Sequence, residues 1–249
     1  MSNAIELVKR TFGYEQIQRA FEDNKDKIAR ETAFAIQAME ANPFLAEKAA
    51  QNPKSLAKAI MNIALTGISL NPVQKYAYLV PRSPRKGAPV EVCLDFSYRG
   101  LSQLAIDAGA VLDINTQIVY ERDSYSLELG SDPKVTHSVP FGDRGEMIGV
   151  YSSALLHSRT YHIEAMSIHE IKNIMRRSSS FRSGKNCPWI TDFGEMARKT
   201  VIKRLFKYLP IPTEVMAAVQ IDHETNPALA EPVKVESELI LGDDMIEEG

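Results

Sequence analysis

Near residue 70 the hydrophobic period of the chain changes from that of helices to that of strands, and a chain carrying both periods in succession must build a mixed α+β fold. Before the change, apolar positions recur at helical spacing through residues 28–39, and Asn52-Pro53 supplies a helix cap followed by proline in the first turn. Leu56, Ile60 and Ile63 continue that stripe until Gly67, whose freedom to take a left-handed conformation predicts a stop. After it, residues 76–80 and 90–96 alternate, with Val90, Val92, Leu94 and Phe96 on one face. The intervening Pro- and Gly-rich, cationic stretch at 81–89 predicts a hairpin connection. A helix at 98–108, closed by Gly109, precedes strand-like runs at 112–120, 124–129, 135–139, 147–156 and 160–164. Ser167 with Glu170 three residues on forms a capping box, predicting a helix over 168–177. A polar break follows, and then a second capping pair, Asp192 and Glu195, opens a long helix that must stop before Pro210.

At 249 residues and 44% hydrophobic, the chain can bury one large core, with or without an appendage. Its formal charge of −3 conceals strong segregation. Residues 172–207 hold ten Lys and Arg against Asp192 and Glu195, a net +8, whereas residues 213–249 hold ten carboxylates against Lys234, a net −9. So dense a basic segment suits a polyanion, because clustered cations release counterions when they meet phosphates; a solvated helix face is the plain alternative. No stretch reaches the roughly 18 uncharged apolar residues of a membrane span, and the start MSNAIELVKR lacks the apolar run of a signal peptide, so a cytoplasmic protein is expected. Cys93 and Cys187 are too few for a disulfide framework or a Cys-based zinc site.

On a helical wheel the last helix places Ala197, Val201, Leu205, Tyr208 and Leu209 on one side. Lys199, Lys203 and Lys207 stack on the other at steps of about 6 Å, near the spacing of successive phosphates along an extended strand. The lysines either follow a phosphate backbone or face water on an amphipathic surface helix. Arg198 falls on the apolar side and needs a partner, a carboxylate or a phosphate. Aromatic and basic residues also interleave, as single-strand grooves require: Lys75 beside Tyr76 and Tyr78, Tyr98 beside Arg99, and Trp189 ahead of the lysines. Tyr76, Tyr78 and Trp189 serve equally well as core residues.

Signals for covalent chemistry are weak. Ser183-Gly184-Lys185 lacks the first glycine of a phosphate-binding loop, where Ser179 stands, and Asn186 replaces the hydroxyl residue. His137, His157, His162, His169 and His223 have neither metal-ligand spacing nor a cysteine cluster. Glu91 and Asp95 share a strand face and could hold Mg²⁺ in a nuclease, with Asp107 and Asp113 as further carboxylates, but nothing supplies a third ligand.

Taken together, Gly67-Ile68-Ser69-Leu70-Asn71-Pro72, Lys75-Tyr76-Ala77-Tyr78-Leu79-Val80-Pro81 and Phe96-Ser97-Tyr98-Arg99-Gly100-Leu101 resemble the signature of the RecT family of phage single-strand annealing recombinases. The later Trp189-x-x-x-Phe193-x-x-Met196-Ala197-Arg198-Lys199-Thr200, continuing to Leu209-Pro210, is similar to that family's second block, and the likeness runs from about residue 56 to 212. The resemblance implies an ATP-independent protein that coats single-stranded DNA and anneals it to its complement, without covalent chemistry and without a cofactor beyond a modulatory Mg²⁺. It implies a curved antiparallel sheet crossed by a long helix. It also implies assembly into rings or helical filaments on DNA, beside a phage 5′→3′ exonuclease and the host single-strand binding protein. On matching positions, Lys75, Arg99, Arg198, Lys199, Lys203 and Arg204 become backbone contacts, with Tyr98 and Trp189 as groove-wall or stacking residues; Lys207 rests on the wheel alone. The expected organisation is a helical region at 1–70, continuous with a DNA-binding α+β core at 71–212, and an acidic tail at 213–249 that solubilises, docks a partner or competes with DNA. A metal-dependent nuclease and a general RNA or single-strand chaperone are the rival readings.

Overall fold

Asparagine followed by proline starts two of the helices of the N-terminal region. A computed structural model describes residues 2–83, 88–182, 184 and 187–213; loop positions 84–87, the residues Ser183, Lys185 and Asn186, and the acidic tail from 214 lie outside it. Five helices lead: α1 (Ser2–Phe12), α2 (Glu15–Ala20), α3 (Lys25–Ala41), α4 (Pro43–Gln51) and α5 (Pro53–Thr66). Asn42 and Asn52 accept from the amides of Leu45 and Ser55 at 3.1 and 3.2 Å, while Pro43 and Pro53 open the helices without a wasted donor. Gly67 ends α5 at φ 70°, as its position after the apolar stripe predicts.

Strands β1 (Ala77–Arg82) and β2 (Glu91–Phe96) form the expected antiparallel hairpin, with Leu79 opposite Leu94 and Tyr78 opposite Asp95. The hydroxyl of Ser55 accepts from the Val92 amide at 2.9 Å, locking β2 onto α5. Helix α6 (Tyr98–Asp107) follows. Next come β3 (Asp113–Tyr120), β4 (Ser124–Glu128), β5 (Lys134–Ser138), β6 (Met147–Leu155) and β7 (Tyr161–Ser167). Strands β3, β6 and β7 make an antiparallel sheet in the order β3-β6-β7, and β4 and β5 pair separately. In α7 (Ile168–Arg177) both hydrogen bonds of the Ser167–Glu170 capping box are present. Two short turns, α8 (Ser179–Arg182) and α9 (Pro188–Thr191), lead into α10 (Phe193–Phe206). The fold is α+β with antiparallel sheets.

Two apolar clusters meet at α10. One gathers α1–α5, Leu79, Leu94 and Phe96 of the hairpin, Leu101 and Leu104 of α6, and Ile202, Leu205 and Phe206 of α10. The other gathers Ile118, Val150 and Met166 of the three-stranded sheet, Ile171 of α7, Trp189 of α9, and Ala197 and Val201 of α10. The wheel correctly assigns Ala197, Val201 and Leu205 to the interior, but the opposite side is buried as well, Lys199 and Lys203 included. A wheel presumes one apolar face, and a helix wedged between two cores is covered on two. The predicted cap also differs: Asp192 makes no side-chain cap bond and instead accepts from the Thr191 hydroxyl. Because α10 ends at Phe206, Tyr208 leaves the wheel and is 59% exposed, stacked on His162 at 5.2 Å.

Candidate nucleic-acid interface

The first turn of α6 is held against the start of β1 by a contact that admits no side chain. A β-carbon on Gly100 would lie 2.0 Å from the carbonyl oxygen of Tyr76, so only glycine allows this approach. That same carbonyl accepts from the Ser97 amide at 2.9 Å, and the Ser97 hydroxyl caps α6 by accepting from the Gly100 amide at 3.0 Å. Lys75 and Arg99 flank this junction on either chain segment, both exposed. Lys75 adopts a left-handed conformation at φ 56°, its amide bonded to the Asn71 carbonyl at 3.0 Å, which closes the turn after α5. Neither side chain has a hydrogen bond or ion pair among the described residues, leaving two cations open to a ligand.

From the other side α10 presents Arg198. Its guanidinium lies 5.6 Å from the centre of the Tyr98 ring and donates to Glu195 at 2.8 Å, so the partner it needs is a carboxylate one turn earlier plus an aromatic face. Tyr98 is half-buried against the first core. Tyr78 is 42% exposed; desolvation raises its phenol pKa, while the positive charge of Arg99 pulls the other way. Arg198 thus meets Tyr98, Tyr78 is within electrostatic reach of Arg99 and Glu195, and Lys75 precedes Tyr76, whose carbonyl touches Gly100; a turn, a strand and the starts of two helices converge here.

Asp95 receives Arg82 at 2.8 Å on one oxygen and Lys199 on the other. Arg82 had no place among the sequence candidates, and Asp95 entered only as a possible Mg²⁺ ligand beside Glu91. Their signal was available in the alternation: Tyr78 and Arg82 share the face of β1 opposite to Leu79, and Asp95 lies across from Tyr78. The side chain of Lys199 is 7% exposed, so it does not form an outward edge with its neighbours.

The remaining candidates lie elsewhere. Arg204 binds Glu164 of β7 at 3.0 Å and Glu170 of α7 at 3.2 Å, bracing α10 against both. Lys203 is 2% exposed and lines a small cavity of about 40 Å³ with Arg177, Arg204 and the exposed Lys207. Lys207 lies nine positions beyond Arg198, about 14 Å along a helix axis. The expected phosphate-spaced row of Lys199, Lys203 and Lys207 is thus not a surface row: two of its members are interior. Trp189 is likewise buried, packed on Phe193 at 6.1 Å in the second core, and does not stand in a groove as a stacking platform.

Among the described residues, Glu91, Asp95, Asp107 and Asp113 join no group of three His, Cys, Asp or Glu placed to hold a metal ion. Nor is any described helix long and apolar enough to cross a membrane. The phosphate-loop look-alike at Ser183-Gly184-Lys185 and the acidic tail fall largely outside the described residues.

Open cations beside aromatic rings suit a polynucleotide backbone. Residues 26–233 match the model of the RecT family. Protein RecT of Escherichia coli (strain K12) is 34% identical over 180 residues, covering 72% of this chain and 65% of that protein. The chain thus spans just under two thirds of the length of the relative it matches. On the family match and this identity, the chain belongs to the RecT family.

Proposed function

We propose that this protein binds single-stranded DNA by its sugar-phosphate backbone and anneals it to a complementary strand during homologous recombination, without ATP and without making or breaking a covalent bond. The observation that carries the reading is the glycine-tight junction at Gly100, flanked by the exposed cations Lys75 and Arg99, with Arg198 packed on Tyr98 and paired to Glu195 close by. Family membership supports the same assignment.

Annealing is opposed by repulsion between strands, by structure within each strand, and by the entropy of alignment. Cations on a rigid junction answer the first by neutralising phosphates. An extended, held strand answers the second, and successive subunits on contiguous DNA answer the third by orienting bases beforehand. Base pairing then supplies sequence choice while the protein reads backbone and shape. In this scheme Lys75 and Arg99 are direct phosphate contacts, Arg198 is a contact released from Glu195 or held at the rim, and Lys207 is a peripheral one. Lys199, Lys203 and Arg204 act beneath them by fixing α10. The curved sheet crossed by a helix, the ring or filament, the annealed duplex as product, and partnership with a 5′→3′ exonuclease and a single-strand binding protein all belong to this proposal. So do a cytoplasmic location in a bacterial host, the absence of a required cofactor with Mg²⁺ at most modulatory, and the division at residues 70 and 212.

The experiment is pairing of complementary oligonucleotides by the full-length protein, without nucleotide and with a chelator as control. Accelerated pairing with products of unaltered length is the expected result. Chelator-sensitive shortening would instead establish the nuclease reading, and equal action on RNA without retention of annealed duplex would establish a general chaperone.

A further inference from the structure

On the far side of the Lys75 turn lies a polar cleft that the backbone contacts leave unused. It has a volume of about 340 Å³, within the range of small-molecule sites, and is lined by Arg30, Asn71, Gln74, Tyr76, Gln103 and Asp107 among others. Its floor is rigid. Glu31, fully buried, accepts from the Ser69 hydroxyl at 2.7 Å and the Leu70 amide at 2.9 Å, pinning the segment after Gly67 to α3. Its wall is equally fixed: the Tyr76 hydroxyl donates to Gln103 at 3.3 Å, and the Gln103 amide donates to Asp107 at 2.8 Å.

Several polar groups remain available to a ligand. Gln74 has no side-chain partner among the described residues, and Asn71 uses its oxygen for the Val73 amide, leaving its NH₂ group. Among the described residues Arg30 pairs only with Glu31, at 3.5 Å, and its side chain is 57% exposed. The position of the cleft relative to the proposed strand path is the telling feature. Arg99, Gln103 and Asp107 are spaced four apart on α6, so they line one helix face at steps of about 6 Å. A strand gripped at Arg99 and Lys75 therefore has the cleft directly along its course.

We infer that the cleft bounded by Arg30, Gln74, Gln103 and Asp107 receives one nucleotide of the bound strand, turned out of the base stack. The inference rests on the single-strand reading above. The charges divide the cleft: a phosphate is attracted to Arg30 and repelled by Asp107, so the carboxylate end is suited to a base, accepting its ring or amino N–H. Free amides at Asn71 and Gln74 match the mixed donors and acceptors of a base edge. Holding one base aside gives each subunit a defined register on the strand. It also separates the neighbouring bases from self-pairing.

The test uses the full-length protein and a single strand of mixed sequence carrying dispersed 2-aminopurine, whose emission rises when it unstacks. Binding of the unaltered protein raises emission. Gln74→Ala combined with Asp107→Ala, both surface positions, removes most of that rise at saturation and weakens binding about fivefold. Lys75→Ala weakens binding but keeps the rise. An equal rise for the double variant and the unaltered protein at saturation overturns the subsite while leaving single-strand binding intact. Failure of the unaltered protein to bind any single strand overturns the DNA-binding reading and this subsite with it.

Discussion

Asp95 on β2 and Lys199 on α10, 104 positions apart in sequence, form an ion pair with side chains 16% and 7% exposed, and Arg82 closes the other oxygen of the same carboxylate. A lysine in that position contributes to stability rather than to salt-dependent binding. Lys199→Met leaves the carboxylate with Arg82 alone and lowers unfolding free energy by about 2–4 kcal/mol. The slope of log affinity against log salt for single-stranded DNA stays the same. Denaturant titration and DNA titration at several salt concentrations measure both, and a slope change of about one with unaltered stability would make Lys199 a phosphate contact.

Lys75 and Arg99 carry the opposite expectation. Both are exposed and make no ion pair among the described residues, so alanine at either changes stability by less than about 0.5 kcal/mol. Each substitution reduces the salt slope by about one. Retention of the full slope in the double variant would remove this surface from the strand path.

Gly100 tests whether the junction must be tight. The β-carbon of Gly100→Ala meets backbone, not a movable side-chain end, so α6 must shift away from Tyr76. The expected loss is about 2–3 kcal/mol, with single-strand affinity falling beyond what Arg99→Ala alone produces. Stability within error of the unaltered protein would contradict the contact.

Asp123 anchors the loop before β4 through Arg144 at 2.6 and 2.8 Å, His137 at 3.0 Å and the Tyr120 amide at 2.8 Å. The Arg144 hydrogen bonds, helped by His137 and the Tyr120 amide, hold its pKa far below the usual carboxylate range against the opposing effect of desolvation. Because the folded value is depressed, the stabilisation is complete above the unfolded value of about 4 and is lost progressively as pH falls from there through the lower folded value. Asp123→Asn costs about 2 kcal/mol at pH 7 and flattens the acid side of the stability profile, which thermal melts between neutral and strongly acidic pH record. An unaltered acid side would place the acid sensitivity elsewhere.

The single tryptophan reports on the second core. Trp189 is 2% exposed, so its emission stays blue-shifted and is unchanged by quenchers in solution or by saturation with a short single strand. Strong quenching on DNA binding would mean that a base reaches the indole.

Local order was legible along the chain because it depends on neighbours. The Ser167–Glu170 box, the Asn52-Pro53 start, the Gly67 stop and the alternation in β2 are each decided within a few residues by backbone hydrogen bonding and side-chain sterics. The motif at Phe96–Leu101 was likewise readable, and with it Tyr98 and Arg99. What lay beyond reach was how many sides of α10 would be covered. Covering depends on elements from Ile118 to Met166 on one flank and from α1–α6 on the other, none of which leaves a trace in the spacing of Lys199 and Lys203. The same lysine period describes a wet edge or an interior ion pair, and the choice rests on where Asp95 arrives. Burial and ion pairing are properties of surfaces brought together from distant segments, whereas capping and periodicity are properties of the segment alone.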